Sequence, residues 1–253
     1  MVITMNLKSA ISFGLVHIPV TINTAIKNND TAFNHIHKKC GTRIKHQKFC
    51  PDCKKNLEQT DIIKGYEYKN DEYVTFDEED FKKLKAEGDK IIEIIAFINQ
   101  NEIDPVYYEK TYVLGTTKDT KAFSLFKTAL KKAGKVAIAK TYLRDKSYYV
   151  VLRFGYNNII MNTLYYEEEI KIMEENETTD FKKEELDLAL KLIDNLTDKF
   201  KPDTYKDEYQ DRIKDAIKEK IKGHEVKEVK VKKQKSVSDL MQALELSLKG
   251  NKA

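Results

Sequence analysis

Between Ile11 and Ile22 apolar side chains fall at every second position, with one slip of phase at Leu15–Val16 directly after Gly14. A period of two sends successive side chains to opposite faces of an extended chain, so this stretch is predicted to be strand. A bulge or bend after Gly14 would return both apolar sets to one core. The same signal recurs along the chain. Ile62–Tyr68 and Glu72–Phe76 flank Lys69-Asn70-Asp71 and read as a hairpin, because Asn and Asp tolerate the positive φ of tight turns. Ile91–Ile98 and Tyr107–Leu114 are rich in β-branched and aromatic residues and are expected to line a barrel or sheet core. Val136–Leu143, Ser147–Phe154 and Ile159–Tyr166, with turns expected at Asp145-Lys146 and Asn157-Asn158, suggest an antiparallel meander.

Helical periodicity interrupts the strands and then replaces them. Asp77 is placed to cap a short helix through Lys85 that Gly88 would end. Ala122, Phe123, Phe126, Ala129, Leu130 and Ala133 recur at three- and four-residue spacing, which predicts an amphipathic helix over 119–133 closed by Gly134. After Ile170, helices are predicted over Phe181–Leu196, with Leu186, Leu190, Ile193 and Leu196 in phase, and over Tyr205–Ile221, with Pro202 between them. A last short helix, Ser238–Leu248, carries Leu240, Leu244 and Leu248 on one face with Met241 beside them. Helices shorter than about 12–15 residues are marginal alone in water. This one must therefore dock on a partner or fold back on the helical region. A chain of 253 residues accommodates a main domain with appendages.

The net charge of +4 looks small for a nucleic-acid binder until it is divided along the chain. Residues 32–55 hold seven Lys/Arg against one acid, +6, and residues 220–235 hold seven Lys against two Glu, +5; residues 56–219 carry −8. Charge runs are often only solvated surface, but two basic segments set against an acidic body also mark an electrostatic footprint for a polyanion.

All three cysteines lie in the first basic segment. His37 and Cys40, then Cys50 and Cys53, form two pairs with two intervening residues each, spacing that lets one tight turn present both members to a tetrahedral Zn²⁺. Gly41 and Pro51 suit such turns. His35 and His46 lie nearby, and spacing favours His37 as the fourth ligand. A redox dithiol at Cys50/Cys53 would be expected to open a helix in a βαβ setting, whereas this pair follows a basic, strand-like run. With four protein ligands the metal would be structural. Lys38, Lys39, Arg43, Lys45, Lys48, Lys54 and Lys55 surround these ligands. Alternation would place Arg43 and Lys45 together, facing outward if Ile44 faces in. Contact with phosphate follows from such an array; base reading does not. Clustered thiols and an N-terminal stretch too interrupted for a membrane helix or a signal peptide point to a reducing cytoplasm.

The segment Ala10-Ile-Ser-Phe-Gly-Leu-Val-His-Ile-Pro-Val20 resembles the opening motif of bacterial Ku proteins. His37-Lys-Lys-Cys-Gly-Thr-Arg-Ile-Lys45, Gly65-Tyr-Glu-Tyr68, Glu102-Ile-Asp-Pro105 with Tyr108-Glu-Lys110, and Gly134-Lys-Val-Ala-Ile-Ala-Lys140 continue the likeness in order, over most of residues 7–170. His17 stands where the family often has Asn, many members lack the cysteines, and the Lys-rich tail here is short.

The resemblance implies a mixed, mainly β fold: a β-barrel core with a long bridge insertion carrying a zinc-knuckle-like module, followed by a helical C-terminal region. On this basis residues 1–170 form the barrel domain and bridge, with the zinc module at about 33–57. Residues 171–222 form the helical region, and 223–253 the basic tail with its amphipathic helix. It further implies a non-enzymatic homodimeric ring that binds double-stranded DNA ends without sequence preference in end joining. The C-terminal part of such proteins recruits a multifunctional ATP-dependent DNA ligase, for which Leu240, Met241, Leu244 and Leu248 are the expected contact.

Two other classes compete: a zinc-ribbon adaptor that binds nucleic acid without forming a ring, and a nuclease or ligase. Against the enzyme stand the lack of a phosphate-cradling Gly-rich loop and of a nucleotide-attachment lysine motif; Asp77-Glu-Glu-Asp80 and Glu167-Glu-Glu169 read as helix-start or surface charge.

Overall fold

The structure, a computed structural model, describes residues 6–84, 91–116, 121–143, 146–172, 181–226 and 228, together with 243, 244 and 247. Two compact units are present. Residues 1–29 and 34–172 make the first, and residues 30–33 and 173–253 the second.

In the first unit, seven strands close into a barrel: β1 (Asn6–Phe13), β2 (Val16–Thr24), β7 (Ile91–Asn99), β8 (Tyr108–Gly115), β9 (Lys135–Leu143), β10 (Lys146–Gly155) and β11 (Asn158–Leu164). Around the barrel the order is β1-β2-β8-β11-β10-β9-β7, antiparallel except where β7 returns beside β1 in parallel. Closure removes the exposed sheet edges that invite aggregation.

The phase slip at Leu15–Val16 is a hairpin rather than a bulge within one strand. Gly14, at φ +55°, and the exposed Leu15 form a two-residue turn, and Ile11 then faces Ile18 while Phe13 faces Val16. Directly opposed residues share a face, so the two phases meet on one side of the sheet. At the β10–β11 hairpin, the turn is Tyr156-Asn157, both at positive φ, one residue earlier than the sequence suggests. Consecutive positive φ values match the right-handed twist of the flanking strands.

The apolar run in β7 is divided by a bulge between Ile94 and Ala96. Ile92 is fully buried, whereas Ile95 and Phe97 point to solvent. Helix α2 (Lys121–Ala133), ended by Gly134 at φ +61°, adds Phe123, Phe126 and Leu130 to the barrel core formed by Ile11, Ile18, Ile22, Leu114, Leu152, Ile159 and Met161. The Phe126 ring packs against Phe13 at a tilt of 32°, centroids 5.4 Å apart.

Between β2 and β7 the chain leaves the barrel. This insertion holds two separate hairpins, β3 (Lys48–Cys50) with β4 (Lys55–Leu57), and β5 (Lys64–Lys69) with β6 (Glu72–Phe76), followed by helix α1 (Glu78–Lys83). Asp77 caps α1 by accepting from the Asp80 backbone N–H at 2.8 Å. Gly88 lies outside the described residues.

In the second unit, α3 (Lys183–Leu196) and α4 (Glu208–Ile221) are joined through a 3-10 turn at Pro202–Thr204. Neither helix buries a side chain fully. On α3 the stripe Leu186, Leu190, Ile193 and Leu196 is exposed, and the more covered apolar residues are Leu188, Ala189 and Leu192. The short segment 30–33 belongs here: the Thr31 backbone N–H and hydroxyl both donate to Gln210 Oε1, at 3.0 and 2.9 Å. No helix of the described residues is long and apolar enough to cross a membrane.

Candidate functional site

The basic, cysteine-bearing module is built from two tight turns. In the first, Ile36 bridges Arg43, the His37 N–H donates to Thr42 O at 2.8 Å, and the Gly41 N–H donates back to His37 O at 2.8 Å. Gly41 sits at φ +69°, the left-handed conformation that favours glycine. This turn brings His37 Nδ1 to 3.0 Å from Cys40 Sγ. In the second, Pro51–Lys54 connect β3 to β4 with Lys54 at φ +52°, and the Cys50 and Cys53 thiols hydrogen-bond each other.

These contacts set the thiol acidities. The Thr42 hydroxyl, 3.3 Å from Cys40 Sγ, then the Thr42 backbone N–H and the His37 ring, hold Cys40 down at about 7. The Cys53 backbone N–H, then its thiol, lower Cys50; Cys53 is raised by its hydrogen bond to Cys50 and by the charge developing there. Thiolate is the form that ligates metal.

The donor chemistry suits Zn²⁺, and each of the two expected pairs is formed. The pairs are not drawn into one cluster: among the described residues no three His, Cys, Asp or Glu side chains converge as metal ligands.

The seven cations behave as a solvated array. Lys38, Lys39, Arg43, Lys45, Lys48, Lys54 and Lys55 are all exposed. None forms an ion pair among the described residues; Lys48 instead donates to Gln59. The expected strand at Arg43–His46 is absent. Ile44 is 48% exposed, and its N–H closes the first turn by donating to His35 O at 2.9 Å. The turn geometry of the module, rather than strand alternation, orients Arg43 and Lys45.

One feature of the insertion escaped sequence reasoning. On the β5–β6 hairpin Tyr66 pairs with Val74 and Lys64 with Phe76, so Tyr66, Val74 and Phe76 share a face, and Tyr66, Tyr68, Tyr73 and Val74 are exposed. The alternation was legible, but how little covers it was not: Phe81 of α1 packs on Phe76 and under Lys64 at one end of that face, and the tyrosines and Val74 stay exposed. In the tail, Leu244 lies in helical conformation and is half-buried; Leu240, Met241 and Leu248 lie outside the described residues.

The model of the Ku70/Ku80 beta-barrel domain matches residues 12–188, from the first strand of the barrel into α3. The chain belongs to the Ku family. It is 38% identical over 243 residues to the non-homologous end joining protein Ku of Lachnoclostridium phytofermentans, covering 95% of both chains. The protein of the same name from Desulfitobacterium hafniense is 38% identical, with 95% of this chain and 86% of the relative covered. That of Solibacter usitatus is 36% identical, with 96% and 92% covered. Ku membership accounts for the closed barrel, and the matched residues run through the insertion between β2 and β7.

Proposed function

We propose that this chain binds double-stranded DNA ends as a homodimeric ring in non-homologous end joining. The observation that carries this reading is Ku membership across both the barrel and the insertion, among relatives named for end joining. The seven exposed cations, free of ion pairs among the described residues, give the reading its physics. Attraction to phosphate is independent of sequence and weakens steeply with salt, while a closed ring can be entered only from a free end. A two-fold dimer doubles the array.

Linear duplex should therefore be bound without sequence preference and competed poorly by closed circles of equal length. Equal competition by circles sinks the ring; preference for single-stranded RNA would favour a zinc-ribbon adaptor instead.

In this reading His37, Cys40, Cys50 and Cys53 hold one structural Zn²⁺. The strands of the β3–β4 hairpin are three residues long and half-bury only Cys50 and Leu57, so the module has little to hold it besides its turns. Metal binding energy would serve there as folding energy. Elemental analysis should find one Zn²⁺ per chain, lost on Cys50→Ser; unchanged content would overturn the ligand set.

The chain's role is to hold ends in the cytoplasm while an ATP-dependent ligase joins them. Recruitment is assigned to the leucine stripe of residues 240–248. Truncation after Gln234 should abolish ligase stimulation with DNA binding mostly intact; retained stimulation refutes the assignment.

A further inference from the structure

An open apolar groove of about 430 Å³ lies in the helical unit. One face of α4 supplies its floor, through Ile213, Ala216, Ile217 and Ile221, and Phe33 and Val226 form its sides. Thr31 fastens the segment bearing Phe33 to α4 through Gln210. Phe33, Ile221 and Val226 remain largely exposed, at 69%, 81% and 52%, so the groove presents apolar surface with little in it. Lys220 is its one charged lining residue.

We propose that this groove is the seat of the chain's own C-terminal leucine stripe, Leu240, Leu244 and Leu248. Three observations select that occupant. The floor residues Ile213, Ile217 and Ile221 are spaced i, i+4, i+8 and run about 12 Å along the axis of α4, and the stripe repeats the same sequence spacing, which a helix would turn into a row of equal pitch. Rows of equal pitch are what helix-on-helix packing interdigitates.

Charge agrees as well. Asp239 and Glu245 outnumber Lys249 along the stripe, while the groove bears Lys220, which forms no ion pair among the described residues. Finally, the chain leaves the groove at Val226 and reaches Leu240 through only thirteen residues. Such a tether holds the stripe at an effective concentration on the order of millimolar. At Leu244 itself the helix is formed and the side chain half-buried, while Ser247, off the stripe, is exposed.

The consequence rests on the ligase reading above. A stripe seated on α4 is unavailable to a partner, so the groove and the ligase compete for the same leucines. The groove thereby sets how readily the ligase is recruited.

Hydrogen exchange of the full chain tests this. Against the parent protein, Leu244→Asp with Leu248→Asp should speed exchange of peptides spanning 213–221 by roughly tenfold, leave barrel peptides unchanged, and do so equally at low and high protein concentration. Unchanged exchange in α4 overturns the proposal. Protection of α4 that appears only as concentration rises also overturns it, in favour of a second copy. A synthetic peptide of residues 236–250, added to the variant, should restore protection; failure to do so counts against the groove. Ligase stimulation by the same variant is read separately. Its persistence would refute ligase docking while leaving the α4 result to judge the groove.

Discussion

Neutralising Arg43 and Lys45 together, as Arg43→Gln with Lys45→Gln, locates the grip on DNA. Both side chains are exposed and neither is paired with a carboxylate among the described residues, so their full charge is available to phosphate. For duplex DNA the slope of log affinity against log salt changes by about 0.9 for each phosphate neutralised. Two side chains per protomer would make about four contacts in the proposed two-fold ring, so the slope should become shallower by about 3.6 if all reach phosphate. Between roughly 50 and 200 mM salt, the affinity of the parent protein should then fall about a hundredfold further than that of the variant.

Fluorescence anisotropy with a linear duplex across that salt range reads the slope directly. The two proteins should differ most at low salt and converge as salt rises. Lys214→Gln with Lys218→Gln is the control. It removes the same charge from α4, where Asp211 and Asp215 already lie 3.4 and 2.9 Å from the two ammonium groups. Its slope should match the parent's. An unaltered slope in the Arg43/Lys45 variant would refute the assignment of the grip to this module. A slope lowered equally in the control would show that net charge, not local contact, governs binding.

Further outcomes follow from the geometry. Because hydrogen bonds from Thr42, then His37, hold the Cys40 thiol at about 7, alkylation of Cys40 in metal-free protein should rise through a midpoint near pH 7. The thiolate is favoured above that pH and lost as pH falls through it; Thr42→Val should move the midpoint upward by mass spectrometry, and an unmoved midpoint removes Thr42 as the cause. Gly14→Ala should cost about 1 kcal/mol in urea unfolding purely through its φ of +55°, since an added Cβ there meets nothing within 4 Å. At Gly115 the same change places a Cβ 3.0 Å from Thr21 Oγ1, so Thr21→Ala should rescue Gly115→Ala and leave Gly14→Ala unaffected. Leu114→Ala, at a fully buried core position, should lose about 2–5 kcal/mol by the same measurement, and a loss under about 1 would place Leu114 outside the core.

What could be read in advance depended on how local the cause was. Asp77 capping α1 and Gly134 ending α2 follow from neighbours in sequence, and so does the hairpin turn with Asp71 at φ +60°. The phase slip after Gly14 was visible, but a bulge and a two-residue turn leave the same alternation. Only the pairing of Ile11 with Ile18 distinguishes them. Barrel closure is less legible still. That β7 lies parallel to β1, and that β8 inserts between β2 and β11, depends on partners far apart in the chain, and residue periodicity carries no information about them. In the cysteine module the two pairs were readable from their two-residue gaps, because each is one turn. The distance between the pairs depends on the path of residues 41–49, where the expected strand did not form and Ile44 faces solvent.

The helical region shows the same limit from the other side. Periodicity marked Leu186, Leu190, Ile193 and Leu196 as one stripe of α3, and it is one, but in this chain it faces solvent. With no side chain of α3 or α4 fully buried, these helices gain little from the burial that stabilises amphipathic helices in proteins. Their stability is therefore linked to whatever covers them. A second copy would make that stability rise with protein concentration, whereas the tethered stripe of residues 240–248 would stabilise α4 independently of concentration. Melting followed at two concentrations separates the two contributions. A concentration-dependent part belongs to a second copy, and a part lost on Leu244→Asp with Leu248→Asp at both concentrations belongs to the tail.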